Sequence, residues 1–144
     1  MSWRFTSFDD VIAAIGGDLP VATSPWTTSQ HLVHCAQSIE YAVSGYPQLK
    51  PAVVRATIGK LVKHRFLTRG EMSHDTAAPV AGAPVLDATV PVASAKVRLR
   101  VAIAAFHAHG GPFAPHLVYG RCSRDEYERL QCMHVADHLR ALTS

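Results

Sequence analysis

The sequence predicts an all-α protein, a helical bundle of four or five helices with one long irregular connection. Three observations carry this expectation. Apolar residues recur at helical spacing in several separate runs; capping residues bracket those runs; and the one stretch that alternates like a strand, Lys96 to Val101, has no second strand to pair with. At 144 residues the chain has the size of a single domain, residues 1–144, and can bury a core without staples.

The first run is Ser7 to Ile15, in which Ser7 is placed to cap Phe8, Val11, Ile12 and Ile15, and Gly16-Gly17 stops it. After Ser24-Pro25 and Trp26, residues Thr28 to Ser44 hold no Pro or Gly. They carry Leu32, Cys35, Ala36, Ile39, Ala42 and Val43 at helical spacing, with Gly45 as the stop. Pro51 suits a first helical turn, and Val54, Ile58, Leu61, Val62 and Phe66 predict one continuous helix from Pro51 to Leu67, its apolar stripe in the core and Gly70 at its end.

Residues 75–92 contain Pro79, Pro84 and Pro91 among small residues and predict a connection without regular structure. Leu99, Ala102, Ile103 and Phe106 favour a helix from Ser94 to His107 over the strand-like alternation that precedes them. In the last run, Ser123 and Glu126 form a capping box, and Tyr127, Leu130, His134, Val135, His138 and Leu142 share one face.

Composition narrows the function classes. Hydrophobic residues make up 48% and charged residues 17%, which excludes a disordered tail, collagen or a low-complexity chain. No apolar run approaches the ~20 residues of a membrane span, and Met1-Ser2-Trp3-Arg4 leads to Asp9-Asp10 and not to an apolar signal segment. The expected setting is the cytoplasm, with no membrane partner. Cys35, Cys122 and Cys132 are odd in number and lack CxxC spacing, so buried free thiols are expected rather than disulfides or a thiolate zinc site. The basic residues Lys50, Arg55, Lys60, Lys63, Arg65 and Arg69 lack aromatic interleaving and any nucleic-acid-binding pattern, so a solvated helix face is expected there. The low charge predicts apolar patches left for self-association, hence a homodimer.

The nine histidines are the compositional outlier. His134 and His138 lie four residues apart on a predicted helix, one turn apart on one face, a spacing that can chelate one metal ion. That face carries the helix's apolar residues, so both rings are directed inward, where an imidazole needs a hydrogen-bond partner or a ligand. His31 and His34 flank the apolar arc of the Thr28–Ser44 helix, and either can reach a site between helices. Two rings from one helix and one from the other make a donor set with an open position, the pattern of catalytic zinc and related sites.

Gln30-His31-Leu32-Val33-His34-Cys35-Ala36-Gln37-Ser38, the run His116 to Tyr127, and His134-Val135-Ala136-Asp137-His138-Leu139-Arg140 together resemble the DinB-like superfamily. The similarity is greatest to a branch known only as a domain of unknown function, and Trp26, Gly45-Tyr46-Pro47 and Gly70-Glu71-Met72 extend it over most of the chain. The resemblance implies a four-helix bundle, here with an extra short helix, and a divalent cation, usually zinc or nickel, held by His34, His134 and His138. Relatives of this superfamily include thiol-dependent transferases and isomerases. His31 stands where that branch usually has Met, Asp137 replaces a His, and Leu117 and Tyr127 replace the usual Pro and Trp.

The expectation that follows is a divalent-metal-dependent enzyme of hydrolase or thiol transferase type acting on a small molecule. Such an ion would polarise a carbonyl or generate a nucleophile at neutral pH. The alternative is a bundle that binds metal without catalysis. Tyr41, on the His34 face, and His116, in the loop before the last helix, are the candidate catalytic side chains. His31 is expected to pack beside the site, and His64, His74, His107 and His109 to lie in solvent.

Overall fold

The computed structural model describes residues 3–144. Its helices are α1 (Phe8–Ile15), α2 (Thr28–Ser44), α3 (Ala52–Ala56), α4 (Ile58–Arg69), α5 (Val92–Ala108) and α6 (Arg124–Ala141). Among the described residues there is no strand, only a single bridge between His116 and Gly120. None of the helices is long and apolar enough to cross a membrane.

The capping signals work as the sequence suggests. Capping boxes close the starts of α1 (Ser7 with Asp10), α2 (Thr27 with Gln30) and α6 (Ser123 with Glu126). Each box satisfies amides that the first turn leaves without partners, which fixes the register of the side chains that follow.

Helix α2 lies between α5 and α6, and α1 packs across both of these. The core takes Phe8, Val11 and Ile15 from α1, Leu32 and Ile39 from α2, Leu99, Ile103 and Phe106 from α5, and Tyr127, Val135 and Leu139 from α6. Phe8 meets Phe106 edge to face, with ring centroids 5.1 Å apart. Burying each such side chain contributes on the order of 1.5–3 kcal/mol. The connection after α4 covers a further side of α2, where Gln30 Nε2 donates to the Leu86 carbonyl at 3.1 Å and Gln37 Nε2 to that of Pro84 at 3.4 Å. Most of α2 is therefore buried, His31, His34, Gln37 and Ser38 included.

The helix expected from Pro51 to Leu67 departs from its reading. It breaks at Thr57 (φ −120°, ψ −92°), and its expected core stripe is split: Ile58 is 64% and Leu61 68% exposed, while Val54, Val62 and Phe66 are half-buried. The reason lies at Gly59. A Cβ there would fall 1.9 Å from the carbonyl oxygen of Val118, so α4 docks backbone against backbone at a point only glycine can occupy. The inward face of α4 thus runs through Gly59, Val62 and Phe66. Val62 and Phe66 meet Met72, Tyr119, Leu130 and Met133 in a second, smaller cluster. The Lys50 amide donates to Leu117 O at 2.9 Å, which ties the same support to the 116–120 turn.

Cys35 and Cys132 are buried free thiols and Cys122 is half-buried. In the basic segment, Lys63 reaches Glu126 at 3.4 Å and the Arg121 carbonyl at 3.1 Å, and Arg55 bonds the Lys50 carbonyl.

Candidate metal centre

Four histidines from three parts of the chain converge: His34 on α2, His134 and His138 on α6, and His74 on the connection between α4 and α5. One nitrogen from each lies within 4.8 Å of all the others. His34 Nε2 is 3.2 Å from His134 Nε2, and His74 Nε2 is 3.2 Å from His138 Nε2. Nitrogens bound to one zinc ion at ~2.0–2.1 Å in tetrahedral geometry stand ~3.3 Å apart, so these separations fit a shared cation.

His74 is solvent-exposed, as the sequence suggests, but its ring also joins the cluster, which the sequence reading does not foresee. Its Nδ1 lies 2.6 Å from Asp137 Oδ2, and its backbone amide donates to the same oxygen at 3.1 Å. The carboxylate fixes the ring proton on Nδ1 and leaves the Nε2 lone pair for the cluster, the arrangement that orients ligating imidazoles in metal sites. Arg140 supports Asp137 at 3.3 Å. Nothing in the spacing of the chain marks His74. The only hint is Asp137, an acid directly beside His138 on an otherwise inward-facing turn.

His31 is buried, and its Nδ1 lies 2.8 Å from Nδ1 of His138, so the two rings share one proton. His138 is thereby oriented by an outer partner, as His74 is by Asp137. His34 and His134 have no such partner among the described residues, and their buried Nδ1 atoms are unsatisfied. Packing orients them instead. The Trp26 ring lies 5.2 Å from His34 and 5.4 Å from His31, and stacks within 6° of parallel on His138 at 6.1 Å.

Electrostatics keep these rings neutral. Burial, followed by the neighbouring charges of His74 and His31, brings His34 down to about 4. Burial and then the other histidines of the cluster hold His134 and His138 well below the ordinary range, and burial lowers His31. Burial alone would raise Asp137, but the hydrogen bonds and charge of His74, together with Arg140, outweigh it and hold the carboxyl below its usual value. Held neutral, His34, His134 and His138 accept a cation without first shedding protons near neutral pH.

A cavity of about 300 Å³ opens beside the cluster, lined by His34, His74 and His134 together with Met72, Val80, Leu130, Gln131 and the 116–119 turn. His116 faces this cavity. Tyr41 does not line it; its ring packs 5.6 Å from that of Tyr46. His64 and His107 are exposed, and His109 Nε2 lies 3.0 Å from the Pro112 carbonyl.

Residues 1–144 match the family described as Protein of unknown function (DUF1569), and the chain belongs to that family. No curated protein and no solved structure matches the chain.

Proposed function

For this member of the family, we propose a divalent-metal-dependent enzyme in which His34, His134 and His138 hold one zinc or nickel ion and His74 completes the donor set. The observation that carries the reading is the convergence of these four rings beside an apolar cavity, with His34, His74 and His134 in its wall. When bound, the ion supplies Lewis acidity, which polarises a carbonyl or acidifies a thiol or water.

The chain's own groups do the rest. Helices α2 and α6 fix three rings through packing; Asp137 keeps the proton of His74 on Nδ1; Trp26 shields the cluster on one side; and the cavity admits a small molecule on another. His74, carried by the connection, lines the cavity and would serve as the fourth donor to the ion. Kinship with the DinB-like superfamily belongs to this reading, supported by the helical bundle and by the clustering of His34, His134 and His138. A homodimer does too, supported by exposed Val53, Ile58 and Leu61, and light scattering at micromolar concentration tests it.

The fourth histidine favours one second reading. A tetrahedral ion held by four rings is closed, as structural zinc sites are, and such a protein would bind metal without catalysis. The two readings separate on turnover of small activated esters and on thiol addition to small electrophiles. The enzyme reading expects turnover that chelation removes, that zinc or nickel restores, and that His134→Ala lacks. Turnover that survives chelation, or its absence from the fully loaded protein across both reaction types, contradicts it.

A further inference from the structure

The cavity beside the histidine cluster has a second distinctive group. His116 Nδ1 accepts two backbone hydrogen bonds, from the amides of Val118 at 3.0 Å and Tyr119 at 3.1 Å. A nitrogen that accepts two N–H bonds carries no proton, so the neutral ring has its proton on Nε2. The turn is rigid: His116 N–H donates to Gly120 O at 2.8 Å, Gly120 N–H returns to His116 O at 3.1 Å, and the imidazole stacks on Tyr119 at 4.1 Å. Burial keeps the ring from gaining a second proton until about pH 3. Nε2–H has no hydrogen-bond partner among the described residues, and the side chain lines the cavity.

The remaining lining limits what that N–H can meet. No Lys or Arg lines the cavity, and its one acidic residue, Asp75, accepts from the Ala77 amide at 3.0 Å. Gln131 Nε2 is used by the Ser38 carbonyl at 3.1 Å and by the Tyr46 hydroxyl at 3.3 Å. Met72, Val80, Leu117, Val118 and Leu130 supply apolar wall. In the metal-free protein a polyanion would find no Lys or Arg countercharge on this lining, and besides the histidines only Ser38, Tyr119, Asp75 and Gln131 offer polar side chains.

We propose that this cavity binds a compact, apolar-bodied molecule carrying one hydrogen-bond-accepting oxygen, of carbonyl or amide class, and that His116 Nε2–H is the group that holds that oxygen. The proposal rests on the same cavity as the metal-dependent reading and names its substrate class. Its test needs no metal, so the two can fail separately.

Full-length protein labelled with ¹⁵N-histidine is titrated with N-butylacetamide, a neutral amide with an apolar chain, and with inorganic phosphate. Long-range ¹H–¹⁵N spectra should show His116 protonated at Nε2 alone. The amide should shift that resonance saturably, and phosphate should not. His116→Asn keeps an acceptor for the Val118 and Tyr119 amides but has no distal N–H. It should stay folded, with a cooperative melt lowered by loss of the stack on Tyr119, and bind the amide about tenfold more weakly, the worth of one hydrogen bond. Protonation at Nδ1 in the wild type, an equal response to phosphate, no shift with the amide at tens of millimolar, or undiminished binding by a folded His116→Asn would each overturn the proposal.

Discussion

The histidines carried by helices and those carried by loops reach the same region by different physical means. His31, His34, His134 and His138 are placed by the packing of α2 against α6, and two of them, His34 and His134, have no outer hydrogen bond among the described residues. His74 and His116 sit on irregular backbone, and each is tethered by hydrogen bonds: His74 by Asp137, His116 by two amides of its own turn. A helix within a packed core over-determines a side chain's position, whereas a loop must fix each functional ring with explicit polar contacts.

The largest effect should come from a helix-borne ring. His138→Ala should abolish or greatly weaken stoichiometric zinc binding while the far-ultraviolet circular dichroism and a cooperative melt persist, because the apolar residues of α1, α2, α5 and α6 form the core without an ion. The variant would lose the stabilisation that a ligand of the folded state provides, about 2.7 kcal/mol at a hundredfold excess over Kd, and in addition the packing of a fully buried ring, on the order of a few kcal/mol. Outright unfolding of the wild-type chain on removal of its metal would show that the cluster is a structural staple.

The tethers should divide along the same line. Asp137→Asn removes the charge that orients loop-borne His74 and should weaken zinc binding roughly 10–100-fold. His31→Phe removes the outer partner of helix-borne His138 and should cost less, since α6 still positions that ring. Isothermal titration of both variants checks the order, and a larger loss in His31→Phe would break the distinction between helix and loop.

Next in size is a change in the support under the His116 turn. Gly59→Ala drives a methyl into the Val118 carbonyl and should cost at least ~1–3 kcal/mol, the usual penalty for overpacking. Exposed Leu61→Ser on the same helix should stay within about 0.5 kcal/mol of wild type. Chemical denaturation of the pair tests whether α4 docks through its glycine or through the larger apolar residues.

Acid should act on both classes of histidine in one direction. The unfolded chain takes up protons near pH 6.5, while folded His34 resists until about 4 and His116 until about 3. Between those limits the unfolded state binds more protons, so stability of the metal-free protein falls as pH drops from 6.5 toward 4 and is recovered as pH rises. Zinc should likewise be retained below pH 6.5 and released nearer 4, because protons do not compete effectively for rings already held neutral. A melting temperature that is flat from pH 7 to pH 4.5, or zinc release centred on 6.5, would contradict the burial of these rings.

What the sequence makes legible follows the same division. Helices α1, α2, α5 and α6 can be read because spacing and caps agree with packing, and the HxxxH pair on α6 can be read because a four-residue step on a helix is a distance in space. The facing of α4 cannot, since the stripe Val54, Ile58 and Leu61 looks as good on paper as Gly59, Val62 and Phe66, and only the approach of Val118 decides between them. His74 is illegible for a similar reason: it lies 63 residues from Asp137 in an irregular segment, and no periodicity carries across that gap. Tyr41 shows the converse, a residue on the right helix at a plausible interval whose ring packs against Tyr46 instead of entering the cavity.

The central claim is that these rings hold a cation, and the most direct measurement is metal content with a zinc and nickel titration on untagged protein near pH 7.5. The expected result is about one ion per chain, lost in a His34→Ala, His134→Ala double variant that keeps its helical spectrum. No bound ion at saturating zinc or nickel, or binding unchanged in that double variant, would contradict it.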